Sequence, residues 1–275
     1  ISPEPEARSR TRESLLIFNS EITFSFQILC IPKLIKSFIK SYFIETLEKT
    51  RFTNCFFIIF LVFFTFFKLL SVMPELPEVE VVRCFLESRI IGKKILKVST
   101  VNEKLRYKVP SNLNLSLQNL IITKILRRGK YLILFFKGSK LSLLIHLGMT
   151  GYFRLSDELV EKKHDHVIFF LKKKILIFND IRKFGFIKTY CDNEIFFSSH
   201  LRNMGVEPLS KNFNLKYFNS FRKRTVDLKG LLMNQSFIAG LGNIYCSEIL
   251  YDARLSPLRK INSLNNLEIR NIVKS

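Results

Sequence analysis

A chain of 275 residues that is 47% hydrophobic and 24% charged has the length for one or two domains and enough apolar side chains for a sizeable core, which excludes a chain too polar to fold. Its 44 Lys and Arg stand against 23 Asp and Glu, a formal charge of +21, and that excess asks for an anionic partner, nucleic acid or a membrane surface. Five cysteines at 30, 55, 84, 191 and 246 lie far apart with no Cys-x-x-Cys pair, which supports neither a disulfide framework nor a structural zinc site and fits a reducing compartment.

Residues 1–72 differ from the rest. They hold nine basic and six acidic residues, leaving 35 against 17 beyond Val72, so most of the excess charge lies downstream. They also hold 13 of the 28 Phe. The apolar run at 55–67 is shorter than the roughly 18 residues of a membrane-spanning helix, and it lies too far from residue 1 for a signal-peptide core. This segment is read as upstream sequence joined in translation, disordered or spurious, rather than as a membrane anchor.

From Met73 onward the elements follow in order, without an internal repeat. Val79, Val82, Leu86 and Ile90 recur at helical spacing, with Pro77 expected at the first helical position and Gly92 closing the helix. Short apolar, β-branched and aromatic runs then occupy 95–98, 120–126, 131–136, 141–147, 167–171, 175–178 and 184–190. Their close spacing leaves no room for crossover helices, so they predict an antiparallel sandwich. Residues 205–210, Gly-Val-Glu-Pro-Leu-Ser, read as a linker, and helices are expected over 215–222, 228–234, 243–251 and 264–273. The fold class is α+β: an N-terminal helix and two-sheet sandwich over 73–205, then a helical part over 206–275.

Several side chains invite a chemical reading beside a bland one. A free Pro74 is a secondary amine able to attack an aldehyde carbon and form an iminium, and Glu75 beside it is a candidate acid; the same residues also suit a plain helix entry. Lys130, at the Gly-Lys-Tyr entry to a strand, can point into a cleft and move a proton, or simply be a solvated flank. His164-Asp165-His166 resembles a metal cluster, but the two histidines are expected to point to opposite sides of a strand and no metal is assigned. Met149, Arg182 and Phe184 fit core or turn positions, yet an apolar wedge with an arginine also fills the void left by an unstacked base. Arg222-Lys223-Arg224 is a basic run at an expected helix end. Asn243, after two glycines, is placed to cap a helix whose amino end can also hold phosphate.

Six motifs appear in order: Pro-Glu-Leu-Pro-Glu-Val-Glu at 74–80, Arg-Arg-Gly-Lys-Tyr at 127–131, His-Leu-Gly-Met-Thr-Gly at 146–151, Lys-His-Asp-His-Val at 163–167, Asn-Asp-Ile-Arg-Lys-Phe-Gly at 179–185 and Gly-Leu-Gly-Asn-Ile-Tyr at 240–245. Together they resemble the formamidopyrimidine-DNA glycosylase family over 73–275. The resemblance implies a bifunctional glycosylase for oxidised purines such as 8-oxoguanine and formamidopyrimidines, working as a monomer on double-stranded DNA with damaged bases or abasic sites, in the cytoplasm with the nucleoid. It implies Pro74 as nucleophile at C1′, Glu75 as the acid at the sugar and Lys130 in removal of the lesion. His164, Asn243 and one of Lys223 or Arg224 become phosphate contacts, and Met149, Arg182 and Phe184 the wedge, with Arg182 pairing the orphaned base. Lys183 stands where the family usually has a second Arg. The last two helices resemble the first pair of the family's helix-two-turn-helix module. The reaction implies no cofactor; the family's structural zinc belongs to a four-cysteine ribbon that, with a lesion-covering loop, usually follows this point, so the resemblance implies a chain shortened there. The alternatives are an endonuclease VIII-like enzyme for oxidised pyrimidines, opposed by Leu76 and the wedge triad, and an inactive DNA-binding remnant.

Overall fold

The computed structural model describes residues 73–275; residues 1–72, read above as unrelated upstream sequence, lie outside the described residues. The described residues pack around three hydrophobic clusters. Among the described residues no helix is long and apolar enough to cross a membrane.

Helix α1 (Leu76–Ile90) carries Leu76, Val79, Leu86 and Ile90 on its buried face, and the last two, with no exposed surface, each contribute about 1.5–3 kcal/mol by leaving water. Its N-cap is Glu75, so Pro77 is the second helical residue rather than the first. The chain turns at Gly92, φ +75°, a left-handed conformation that costs glycine little.

The sandwich consists of β1 (Ile95–Thr100), β2 (Ile122–Arg128), β3 (Tyr131–Phe136), β4 (Leu141–His146), β5 (Gly151–Ser156), β6 (Asp165–Leu171), β7 (Lys174–Asp180) and β8 (Phe186–Cys191), with a short helix α2 (Leu113–Leu117) between β1 and β2. Two antiparallel sheets result, in the orders β1-β6-β7-β5 and β2-β3-β4-β8. Alternation explains the continuous apolar runs of β3 and β4. Leu132, Leu134, Leu143 and Ile145 face the main core with α1, while Ile133 and Leu144 face a second cluster with Phe186, Ile195 and Leu201, so this sheet is covered on both sides. Strand β5 was not expected: only Gly151 in it is fully covered and Tyr152 is exposed, so an edge strand with Arg154 in its middle leaves a weak apolar signal.

The helical part contains α3 (Leu215–Asn219), α4 (Leu228–Met233), α5 (Asn243–Asp252) and α6 (Asn266–Lys274) around a separate core that includes Phe218, Phe237, Leu232 and Ile269. Helix α3 stops three residues before the expected end. Residues 205–210 are not a loose linker. Val206 bridges Ile238, Gly205 N–H donates to Gln235 O at 2.8 Å, and Glu207 pairs with Arg127 and Arg128. Among these strands the turns at Gly129, Gly148 and Gly185 gather at one end of the sandwich, beside the start of α1 and the amino end of α5.

Candidate active site

The centre of that end is Glu75, 2% exposed. Its carboxylate accepts amide hydrogens from Gly242 at 2.7 Å, Ile244 at 3.0 Å and Tyr245 at 3.3 Å. These are orphan donors of the first turn of α5, so Glu75 caps a helix 167 residues further along the chain. Asn243 was expected in that role. The N-cap is instead Gly242, Asn243 is the first helical residue, and its exposed side chain is left on the outer side of the helix start. Glu75 is fastened from behind as well, because its N–H donates to Glu78 Oε2 at 2.9 Å and Tyr245 Oη donates to Glu78 Oε1 at 3.0 Å. Pro74, half-buried, precedes it directly, and Leu76 N–H donates to Gly240 O at 3.0 Å, so the backbone on which Pro74 rides is held.

Lys130 enters from the two-residue turn between β2 and β3. Its Nζ lies against Gly242, where a Cβ would sit 2.7 Å from it and 2.5 Å from the carboxyl carbon of Glu75. Both functional groups therefore crowd one glycine. Burial pushes the Lys130 ammonium below its usual range, and the nearby Glu75 carboxylate and Cys246 oppose the shift. Cys246, buried in the first turn of α5, is pushed up to about 12 by burial and by Glu75, so it packs as a neutral thiol. An amine and a carboxyl group are thus brought to one corner, next to the half-buried Pro74.

A second pair of turns forms the neighbouring rim. Gly148, φ +68°, lies so close to Phe184 and Gly185 that a side chain there has no room, which presses the Met149 turn against the 180–185 loop. Buried Asp180 organises both: its carboxylate accepts from Thr150 Oγ1 at 2.5 Å, Gly185 N at 2.7 Å and Arg182 N at 3.2 Å. The loop presents Phe184, 44% exposed, with the Arg182 guanidinium over its ring at 4.9 Å. Lys183 holds φ +60°, a left-handed strain of order 1 kcal/mol for a non-glycine residue. Arg182 and Phe184 thus share one protruding loop, while Met149, half-buried, lies on the turn next to Gly148 that packs against it.

His164 sits just before β6 with φ +76°. Residues i and i+2 of a regular strand share a face, so the expected reason for separating His164 from His166 does not hold. They part because His164 is in a left-handed turn and β6 shifts register between Asp165 and Val167. His166 is fully buried, with its ring nitrogens at 3.2 Å from Asn102 O and 2.9 Å from Asp180 O. Asp165 is clasped by Arg154 at 2.5 Å, Asn179 Nδ2 at 2.8 Å and Lys162 N at 2.8 Å. These two brace the loop that carries His164. Lys223 and Arg224 are exposed in the turn after α3 rather than at a helix end; Arg224 lies over Phe221 at 4.7 Å, and Arg222 is spent on the carbonyl of Leu264. Among the described residues no group of three His, Cys, Asp or Glu converges as a metal site would.

With this geometry in view, the comparisons with known proteins decide the family. A model of the formamidopyrimidine-DNA glycosylase N-terminal domain matches residues 73–187, and one of the H2TH domain matches residues 204–275. The chain belongs to the formamidopyrimidine-DNA glycosylase family. Two curated formamidopyrimidine-DNA glycosylases illustrate the likeness. One, from Rickettsia bellii, is 43% identical over 198 residues, 71% of this chain and 72% of the relative. The other, from Bartonella quintana, is 41% identical over 196 residues, 66% and 67%. Among solved structures, the Lactococcus lactis enzyme bound non-covalently to DNA containing an abasic site superposes with a TM-score of 0.68 at 34% identity, covering 73% of this chain and 77% of that one.

Three residues of this glycosylase-family site escaped sequence reasoning: Asp180, Gly242 and His146. Asp180 and Gly242 stand inside quoted motifs, but their work depends on contacts made only in the fold. His146, also inside a quoted motif, offered a nearer signal as the polar end of an apolar strand. Its Nδ1 accepts from Gly148 N at 3.0 Å and its ring stacks on Phe186. Burial, with Arg106 and Lys130 nearby, lowers it to about 4. The unfolded chain takes up this proton near pH 6.5 and the folded chain only near 4, so stability is full above 6.5 and falls as pH drops toward 4. A loss of about 3 kcal/mol is expected over that window. His146→Gln should flatten the pH dependence of the denaturant midpoint between pH 7 and 4, so that the wild-type minus variant difference falls as pH drops; parallel curves would show that His146 is not the group responsible.

Proposed function

We propose that this chain, freed to begin with Pro74, is a bifunctional DNA glycosylase and abasic-site lyase of base-excision repair that removes oxidised purines and nicks the strand. The observation that carries this reading is the convergence of Lys130 and Glu75 on Gly242, immediately beside Pro74. An enzyme acting on a base takes it out of the stack; the Met149, Arg182 and Phe184 edge fills the gap, and Arg182 faces the orphaned partner. The Pro74 nitrogen then attacks C1′ while Glu75 protonates the sugar ring oxygen. The bond from C1′ to the base breaks as Lys130 protonates the departing base, and the Pro74 nitrogen gives up its proton. The C1′–O4′ bond then breaks onto the oxygen that Glu75 protonates, which opens the sugar and leaves Pro74 as an iminium. That cation draws electrons from the neighbouring carbon as its proton leaves, and the 3′ phosphate is expelled. Electrons balance without an external oxidant or reductant. His164, Asn243 and one of Lys223 or Arg224 hold backbone phosphates, contacts that position the duplex without reading its sequence. The enzyme works as a monomer in the cytoplasm, on the nucleoid.

The test compares two substrates under single-turnover conditions. Lys130→Ala should lower excision of an oxidised purine by about a hundredfold, the scale of losing a placed proton donor, while cleavage at a preformed abasic site falls by only about twofold to threefold, because that substrate has already lost its base. A proportionate loss on both would make Lys130 a DNA contact.

A further inference from the structure

The segment read as a linker carries a half-buried carboxylate, Glu207, that the reaction above does not use. Glu207 Oε1 accepts from Gly129 N–H at 2.7 Å and from Arg128 Nη1 at 2.7 Å, and its Oε2 accepts from Arg127 Nη1 at 2.7 Å. The same Arg127 group donates to Gly129 O at 3.1 Å, and Arg127 Nε donates to Glu80 Oε2 of α1 at 2.7 Å. Arg128 reaches on to Met204 O at 3.0 Å and to Gly205 O. Both backbone groups of Gly129 are therefore held, its N–H by Glu207 directly and its carbonyl through Arg127. Gly129 itself has φ +53°, a left-handed conformation that favours glycine, and a Cβ there would have to displace the movable end of Met204. The next residue is Lys130. Burial of Glu207 works against ionisation, but the Gly129 amide and the two guanidinium groups outweigh it and hold its carboxyl below the usual range.

We propose that Glu207 is a positioning residue for lesion excision, which ties the connection between the sandwich and the helical part to the Gly129 turn so that Lys130 stays against Glu75 and Gly242. A surface ion pair would be worth little, but this one fixes a turn one residue from a proton donor, where a displacement of about 1 Å costs on the order of a hundredfold in rate. The proposal rests on the reading of Lys130 as the residue that assists base removal.

Glu207→Ala, Glu207→Gln and Lys130→Ala are compared in the form beginning at Met73, with Gly129 amide exchange followed alongside excision and abasic-site cleavage. Glu207→Ala should lose excision about tenfold to a hundredfold, with abasic cleavage within about threefold and the Gly129 amide exchanging faster. Glu207→Gln, whose amide oxygen can still accept from Gly129, should fall between. Gly129 exchange unchanged in Glu207→Ala, or the two activities falling together in it while Lys130→Ala separates them, overturns the role of Glu207 alone. Equal loss of both activities in Lys130→Ala overturns the reading of Lys130 and this inference with it.

Discussion

Incubated with abasic-site DNA and borohydride, a form beginning at Met73 and processed to a free Pro74 is expected to be captured as a covalent protein–DNA adduct, whereas the 275-residue chain is not. The difference is chemical. In the long chain the Pro74 nitrogen is an amide and has no lone pair to offer; freed, it is an α-amino group titrating near pH 8, with a useful fraction unprotonated at neutral pH. The shorter form should fold, because residues 73–275 bury extensive apolar cores. Its first residues are also anchored from within, through Leu76 N–H to Gly240 O and Glu75 N–H to Glu78, so freeing the terminus does not release it. Glu75→Gln in this form should lose excision and part of its trapping too. A glutamine turns an N–H donor toward at least one of the three amides that Glu75 now satisfies, and an unmet cap costs about 1 kcal/mol. Equal trapping of the long chain, uncut, would transfer the nucleophile to a lysine.

What could be read in the sequence was whatever depended on local pattern. Tyr131–Phe136 was predicted to the residue, because a run buried on both faces needs no partner to be recognised. The half-exposed Gly151–Ser156 was lost for the opposite reason. The site residues were legible as motifs, yet their relations were not. Asn243 carries a capping side chain one residue past the N-cap, Gly242, and only the fold brings Glu75 across to take that work. His164 and His166 looked like one strand pair until a left-handed turn separated them. Residues 205–210 carry the glycine and proline of a linker, while the partners that fasten Glu207 lie about 80 residues away in sequence. In each case a local propensity competed with a distant donor or acceptor, and the distant one won because a buried polar group left unmet costs about 1–3 kcal/mol.

Gly242→Ala should cripple excision through space alone. The backbone there is extended, with φ −132° and ψ −161°, so alanine meets no conformational strain and the whole effect is one of space. Its Cβ would stand 2.5 Å from the carboxyl carbon of Glu75 and 2.7 Å from Lys130 Nζ, both nearer than carbon can approach. Which group gives way decides the outcome. Glu75 is held by three amides of α5 and by Glu78, whereas Lys130 Nζ is the end of a flexible chain with room to withdraw along it, so the lysine should move first. Excision of an oxidised purine should then fall by a hundredfold or more, while borohydride trapping of the form beginning at Met73 on abasic DNA stays within about fivefold of its parent, since no proton need reach a base. The denaturation midpoint should shift little, on the order of 1 kcal/mol. If trapping and stability collapse together with excision, Glu75 has yielded instead and the amino end of α5 has lost its cap. If excision survives, Lys130 and Glu75 do not need to meet at this glycine, and the proton path through them is wrong.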